Sequence, residues 1–163
     1  MIRSALVLAM CLSLAGCASS QVLGKMRRAT RDPGQKLLDL PDKVAKDYAC
    51  KERVLPWFKL ERNEINPKRV QPGSQLNHRI VYALCPERPT EVVTGTLTTR
   101  IRFKGQVVKD EQIPDFEIKP GRWRVDAFVV LPEDAETGVY ALEIHFQQGR
   151  VRMNESLTFG VDG

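Results

Sequence analysis

The sequence of 163 residues contains few of the side chains that most enzymes require. It has only two histidines, His78 and His145, and four cysteines. No pair of these residues shows the C-x-x-C or H-x-x-x-H spacing of a zinc site, so we predict no metal and no cofactor. Ser74 lacks the flanking glycines of a nucleophile elbow. The sequence therefore predicts a protein that is not an enzyme. A hydrolase with His78 or His145 beside a carboxylate in a cleft stays open as an alternative.

The sequence also lacks an apolar run that is long enough for a transmembrane helix. Its longest run, residues 5–15, has eleven residues with Ser13 as the one polar side chain. A membrane-spanning helix needs about twenty residues. The run follows a single positive charge at Arg3 and ends in small residues, which is typical of a secretory signal peptide.

The end of this run, Leu14-Ala15-Gly16-Cys17, resembles the lipobox of bacterial lipoproteins. The resemblance implies that residues 1–16 are removed as a signal peptide and that the thiol of Cys17 is acylated. Two or three acyl chains anchor a protein stably in a membrane. The residue after Cys17 is Ala18 and not aspartate, which in Gram-negative members of the class implies the outer membrane, here facing the periplasm. An ordinary secretory signal with an incidental cysteine is the alternative.

The lipobox resemblance also implies that two cysteines are left in the folded protein. Cys11 would be removed with the signal peptide and Cys17 would carry lipid, so Cys50 and Cys85 would remain. An even pair in an oxidising compartment is typical of one disulfide. Two free buried thiols are the alternative.

The positive charge of the chain is concentrated near its N-terminus. Residues 17–53 contain nine Lys or Arg against five Asp or Glu, a net charge of +4, whereas residues 54–163 contain fifteen of each. An anionic lipid surface or a polyanionic wall polymer suits such a membrane-proximal arm. A solvated tether without a specific partner is the alternative. The predicted compartment excludes nucleic acid.

The mature chain divides into three predicted parts. Residues 17–35 contain no sustained apolar face and are predicted to form a flexible, lipidated tether. Residues 36–53 contain one short helix that packs on the domain, with Pro41 at its start and Asp39 as a possible cap. Residues 54–163 form the domain.

The domain shows the period-two alternation of β-strands, with turn residues about every ten positions. The clearest apolar faces belong to two strands in its C-terminal half: Trp123, Val125, Ala127, Val129 and Leu131, followed by Tyr140, Leu142, Ile144 and Phe146. Short strands without intervening helices indicate an all-β fold. We predict a single antiparallel β-sandwich of seven or eight strands.

The segment Gly138-Val139-Tyr140 resembles the tyrosine corner of immunoglobulin-like and fibronectin type III-like domains. The resemblance implies that the hydroxyl of Tyr140 bonds to nearby backbone. The disulfide between the two core strands of immunoglobulin domains has no counterpart here, because Cys50 precedes the first predicted strand.

An anchor, a tether and a domain without catalytic residues indicate a binding function. We expect the domain to bind another envelope component, either a protein of an assembly or a surface polymer. Trp57 and Phe58 are a possible contact surface, with core or edge packing as the alternative. The alternative function is that of a small-ligand carrier or sensor with a pocket between the sheets.

Overall fold

The computed structural model describes residues 34–163. The predicted signal peptide of residues 1–16, the predicted lipidation site Cys17 and the predicted tether up to residue 33 lie outside the described residues. Within residues 34–163, no helix is both long enough and apolar enough to cross a membrane.

The predicted all-β sandwich is confirmed: the described residues form two facing sheets. The four-stranded sheet has the order β1-β7-β4-β2, and the five-stranded sheet has the order β3-β9-β8-β5-β6. The strands are β1 (Gly34–Asp39), β2 (Trp57–Asn66), β3 (Arg69–Val70), β4 (Gln75–Cys85), β5 (Val93–Phe103), β6 (Gln106–Ile118), β7 (Gly121–Val130), β8 (Gly138–Gln148) and β9 (Val151–Val161).

The strand count in the described part of the chain is nine, where seven or eight were predicted. The two short strands, β1 and β3, are the ones that alternation did not reveal. β3 has two residues and pairs in parallel with β9, whereas the other pairings among the described strands are antiparallel. Segments this short carry too little alternation to be recognised, and hydrogen bonds to a strand far away in sequence make them extended.

The residues before the predicted domain are also part of the sandwich. β1 occupies residues that we assigned to the tether and to the helical segment, and it pairs with β7 from Gly34 opposite Asp126 to Asp39 opposite Arg122. The helix α1 (Pro41–Asp47) begins at Pro41, as predicted, and Cys50–Glu52 form a 3₁₀ turn. The predicted cap was wrong: the N-cap is Leu40, and Asp39 instead forms an ion pair with Arg122.

Helix α1 lies on the outer face of the four-stranded sheet. Val44 is fully buried against Ala83 and Cys85, whose side chains point outward from β4. The predicted disulfide between Cys50 and Cys85 is present, with Cα atoms 6.0 Å apart. Because Ala83 has a small side chain, the helix can approach the sheet closely there. The disulfide then fastens the chain after the helix to the end of β4.

The space between the sheets holds two apolar clusters instead of one continuous core. One cluster surrounds Tyr140 and Leu142, and the other surrounds Tyr82 and Phe146. The Tyr140 hydroxyl donates a hydrogen bond to the Glu136 carbonyl at 2.9 Å, as the tyrosine-corner resemblance implies. The two clusters meet at a cavity that is lined by residues of both.

Candidate functional site

The outer face of the four-stranded sheet carries a row of positive charge beside α1. Strand register places Arg62 of β2 and Arg124 of β7 on either side of Val81, and Lys36 of β1 lies next to Arg124. We call Arg62, Arg124 and Lys36 the basic row. With neighbouring strands about 4.8 Å apart, the row is about 14 Å long. It presents three cations and no carboxylate along one line across the sheet.

The neighbouring row across the same sheet holds the guanidinium groups in place. Asp126 is buried, and it accepts hydrogen bonds from Arg79 at 2.7 Å and from Asn77 at 3.0 Å. It also forms an ion pair with Arg124 at 2.8 Å. Burial acts to raise the pKa of Asp126, but the hydrogen bonds and the two guanidinium groups lower it below its ordinary value. Asp126 is therefore a fixed anion that orients Arg79 and Arg124.

The outer face around the basic row has a net positive charge. Its cations outnumber its carboxylates by four to two, and the face is defined by Lys36, Arg62, Arg79, Arg124, Glu64 and Asp126. Strand β6 of the other sheet has a net negative charge, with four acidic residues and one lysine. Residues 54–163 are neutral as a whole, and Lys36, which precedes them, adds one positive charge to this face.

Residue Arg122 links the arm to the sandwich on the same face. Its Nε donates to both carboxylate oxygens of Glu61 at 2.9 Å, and its guanidinium also pairs with Asp39 and with Asp47. Burial acts to lower the pKa of Arg122, but its interactions with Glu61, Tyr48 and Asp39 raise it well above its ordinary value. A β-bulge at Glu61 turns this residue and the next to the outer face, which supplies the carboxylate at this position.

The two aromatic residues that we proposed as a contact surface lie on opposite faces of β2. Trp57 packs beneath α1, with its ring centroid 4.7 Å from that of Tyr48 and the Arg53 guanidinium 4.4 Å from its centroid. Phe58 points between the sheets, 5.8 Å from the Tyr82 ring. Both are half-buried, which favours packing, and a contact role stays a prediction.

The two histidines are separated by the five-stranded sheet. His145 is exposed on the outer face of that sheet, beside Thr98 and Asn154. His78 is buried between the sheets, where its Nε2 lies 2.8 Å from Oδ1 of Asn63. Within residues 34–163 no group of three His, Cys, Asp or Glu side chains is arranged to hold a metal ion.

A cavity of about 120 Å³ lies between the sheets where the two apolar clusters meet. Four of its lining residues are polar or charged: His78 of β4, Thr99 of β5, and Lys109 and Glu111 of β6. We call these four residues the polar belt. The rest of the lining is mainly aliphatic, including Ile80, Leu97, Ile101, Ile113, Val125, Val129 and Ile144.

Burial determines the protonation state of the histidine in the polar belt. It lowers the pKa of His78 to about 4, so the imidazole is neutral near pH 7. A histidine acting as a general base is usually oriented by a carboxylate. The hydrogen bond of His78 goes to an amide, Asn63, and Glu111 pairs with Lys109 at 3.3 Å. This arrangement suits recognition of a neutral polar group better than proton transfer.

Sequence reasoning missed the basic row and most of the polar belt. Arg62, Arg124 and Lys36 lie in three segments that become neighbours only through sheet pairing. In the structure, β5 and β6 are paired so that Thr99 is opposite Glu111 and Ile101 is opposite Lys109, which places Lys109 and Glu111 at inward positions of β6. Polar residues at inward positions of an edge strand would indicate a polar cavity. The sequence of β6 has no regular alternation, so it does not show which of its residues face inward.

Comparisons with known proteins show only remote structural likeness. No protein-family model matches the chain, and no curated protein matches it. The solved structures that resemble it include the alkylpurine DNA glycosylase AlkC of Pseudomonas fluorescens, with 10% identity over 65% of this chain and 30% of that chain and a TM-score of 0.46. They also include a beta-glucosidase of Listeria innocua, with 12% identity over 68% of this chain and 17% of that chain and a TM-score of 0.46.

A third similar structure is Spo0M, the sporulation control protein of Bacillus subtilis, with 12% identity and a TM-score of 0.40. The match covers 65% of this chain and 49% of that protein. In each of the three cases the chain spans less than two thirds of the protein that it resembles.

Proposed function

We propose that the protein is a bacterial lipoprotein, anchored through Cys17, whose non-catalytic sandwich binds another component of the cell envelope. The observation that carries the proposal is the basic row of Arg62, Arg124 and Lys36 across the exposed part of the four-stranded sheet. Its chemistry favours a polyanionic partner, of which a surface polymer is the simplest kind.

The row is suited to a repeating anion because its cations are spaced and oriented. Arg124 is held by the buried Asp126, while Lys36 and Arg62 are exposed at the two ends of the row. Arg62 is 3.7 Å from Glu64, a distance that leaves most of its donors available to a partner. A planar guanidinium binds phosphate or carboxylate groups through two parallel hydrogen bonds.

The position of the arm supports the same partner. β1 enters the sandwich beside β7, at the edge of the basic face, and the sequence of residues 17–33 that precedes it is also basic. If Cys17 is acylated, the arm and the basic row are presented together near the membrane surface. When two weak electrostatic contacts are linked by one chain, formation of the first raises the effective concentration for the second, so the overall affinity increases.

A charge-neutralising variant tests the proposal in the lipidated, full-length protein. We expect Lys36→Gln with Arg62→Gln to reduce co-purification with the anionic envelope polymer about tenfold, because two exposed cations are lost. The matched control is Arg150→Gln with Arg152→Gln, which removes the same charge from exposed positions at the far sheet. The control variant should bind as tightly as the wild type. Raising the salt concentration should weaken polymer binding by the wild-type protein.

In-cell photocrosslinking from position 62 gives an independent readout. A photoreactive side chain there should yield a reproducible adduct that the same side chain at position 152 does not. Equal adducts from both positions, or equal loss of binding in the two double variants, would mean that the basic row is not the contact surface.

A further inference from the structure

We propose that the cavity between the sheets binds a small neutral molecule with one six-membered ring and a hydroxyl group, a simple phenol being the chemical class that fits. The inference rests on the polar belt and its surroundings, and it does not depend on the anchor or on the basic row.

The size of the cavity sets the size of the ligand. Its volume is about 120 Å³, and an apolar cavity of about 150 Å³ in another protein holds benzene. The space exists because Ala127 stands in register with His78, between the larger neighbours Val125 and Val129 on the same face of β7. A single aromatic ring fits this space, whereas a fused ring system or a sugar chain does not.

Two polar groups in the cavity lining are available to bond to a hydroxyl. Nε2 of His78 bonds to Asn63, while no hydrogen bond to the described residues reaches its Nδ1. The hydroxyl of Thr99, on the facing sheet, likewise has no hydrogen-bond partner among residues 34–163. A ligand hydroxyl both donates and accepts, so it can pair with a neutral imidazole in either tautomer and with a threonine.

The charges at the outer end of the cavity favour a neutral ligand. Lys109 and Glu111 form an ion pair at 3.3 Å and so offer no net charge. Both are half-buried on the edge strand β6. A charged ligand would place an unpaired charge among aliphatic side chains, which is strongly unfavourable. A phenol leaves the ion pair intact and fills the apolar part with its ring.

Binding of 4-fluorophenol to the mature chain with Cys17→Ser, followed by ¹⁹F NMR, tests the proposal directly. We expect saturable binding with a Kd of about 1 mM or tighter. Fluorobenzene should bind more weakly, because it cannot satisfy His78 and Thr99, and 4-fluorobenzoate should not bind. Absence of saturable 4-fluorophenol binding, or equal binding of the benzoate, would overturn the proposal.

Two variants locate the site. Ala127→Leu fills the cavity and should abolish binding, whereas the matched control Ala141→Leu, on the outer face of β8, should leave the Kd unchanged. Thr99→Val keeps the shape and should raise the Kd of 4-fluorophenol about fivefold while leaving that of fluorobenzene unchanged. If circular dichroism shows that Ala127→Leu is unfolded, the site is tested by comparing how Thr99→Val changes the Kd of 4-fluorophenol and the Kd of fluorobenzene. Wild-type binding by a folded Ala127→Leu variant, or an equal change for both probes in Thr99→Val, would overturn the assignment.

Discussion

Arg122 on β7 and Glu61 on β2 are joined by hydrogen bonds at 2.9 Å although β4 lies between their strands. The contact is possible because the residue between them on the outer face is Ala83, whose side chain leaves room for a long guanidinium to cross. Arg122 also reaches Asp39 at the end of β1 and Asp47 at the end of α1. One side chain therefore ties four elements of the structure together.

Replacing Arg122 should destabilise the protein more than replacing any exposed arginine. Arg122→Gln leaves three carboxylates close to one another without their common cation, so we expect a loss of about 2 kcal/mol in the free energy of unfolding. Urea denaturation followed by circular dichroism measures it. Arg150→Gln, on the exposed turn between β8 and β9, is the control and should stay within about 0.5 kcal/mol of wild type. Equal effects of the two substitutions would show that the Arg122 network contributes little.

The disulfide should stabilise the fold through the chain segment that it closes. Cys50 and Cys85 are 35 residues apart, and a loop of that length corresponds to about 3 to 4 kcal/mol in the chain-entropy description. We expect dithiothreitol to lower the urea midpoint of the wild-type protein and to have no effect on Cys50→Ser with Cys85→Ser. Limited proteolysis should then cut first near α1. An unchanged urea midpoint after complete reduction would contradict the stabilising role.

His78 should make the protein less stable as the pH falls from about 6.5 to about 4. Its pKa is lowered from 6.5 to about 4 in the folded state by burial. Between these values the unfolded chain binds a proton that the folded chain does not, so stability decreases with decreasing pH, by about 3 kcal/mol in total. Below pH 4 this contribution is constant.

The variant His78→Gln isolates this effect in urea unfolding experiments at pH 7.5, 6, 5 and 4.5. The variant should lose most of the pH dependence of stability between pH 6.5 and pH 4, since a glutamine does not titrate. Asp126, whose pKa is below its ordinary value of 3.8, affects stability only at lower pH. The other titratable groups in the cavity lining, Lys109 and Glu111, are unchanged in the variant. A wild-type pH profile in His78→Gln would mean that another group is responsible.

The proposed lipid anchor makes a prediction about the location of the protein in the cell. Cys17→Ser removes the nucleophile for acylation, so the variant should leave the membrane fraction and lack the mass of the acyl chains. Fractionation and intact mass measurement of the purified protein check both points. Cys11→Ala, within the predicted signal peptide, is the control and should leave anchoring intact. Normal membrane retention of Cys17→Ser would refute the lipobox assignment.

Local sequence patterns determined several features of this protein. Alternation of apolar residues in strands such as the one containing Trp123 and Val125 placed side chains on the correct faces, because a strand has a fixed period of two. Pro41 marked the start of α1 because proline is suited to the first turn. The pairing of Cys50 with Cys85 followed from elimination and from the predicted compartment.

Tertiary structure alone decided the candidate functional surfaces. Alternation tells which side of a strand a residue faces, but it does not tell which strands become neighbours or in what register. The basic row of Arg62, Arg124 and Lys36 depends on three such pairings, and β1 joins the sandwich only because the edge of β7 can bond to it. The cavity likewise requires Ala127, His78 and Thr99 to meet across two sheets. Such features arise from hydrogen bonds and packing between segments that are distant in sequence, and no local sequence pattern predicts these contacts.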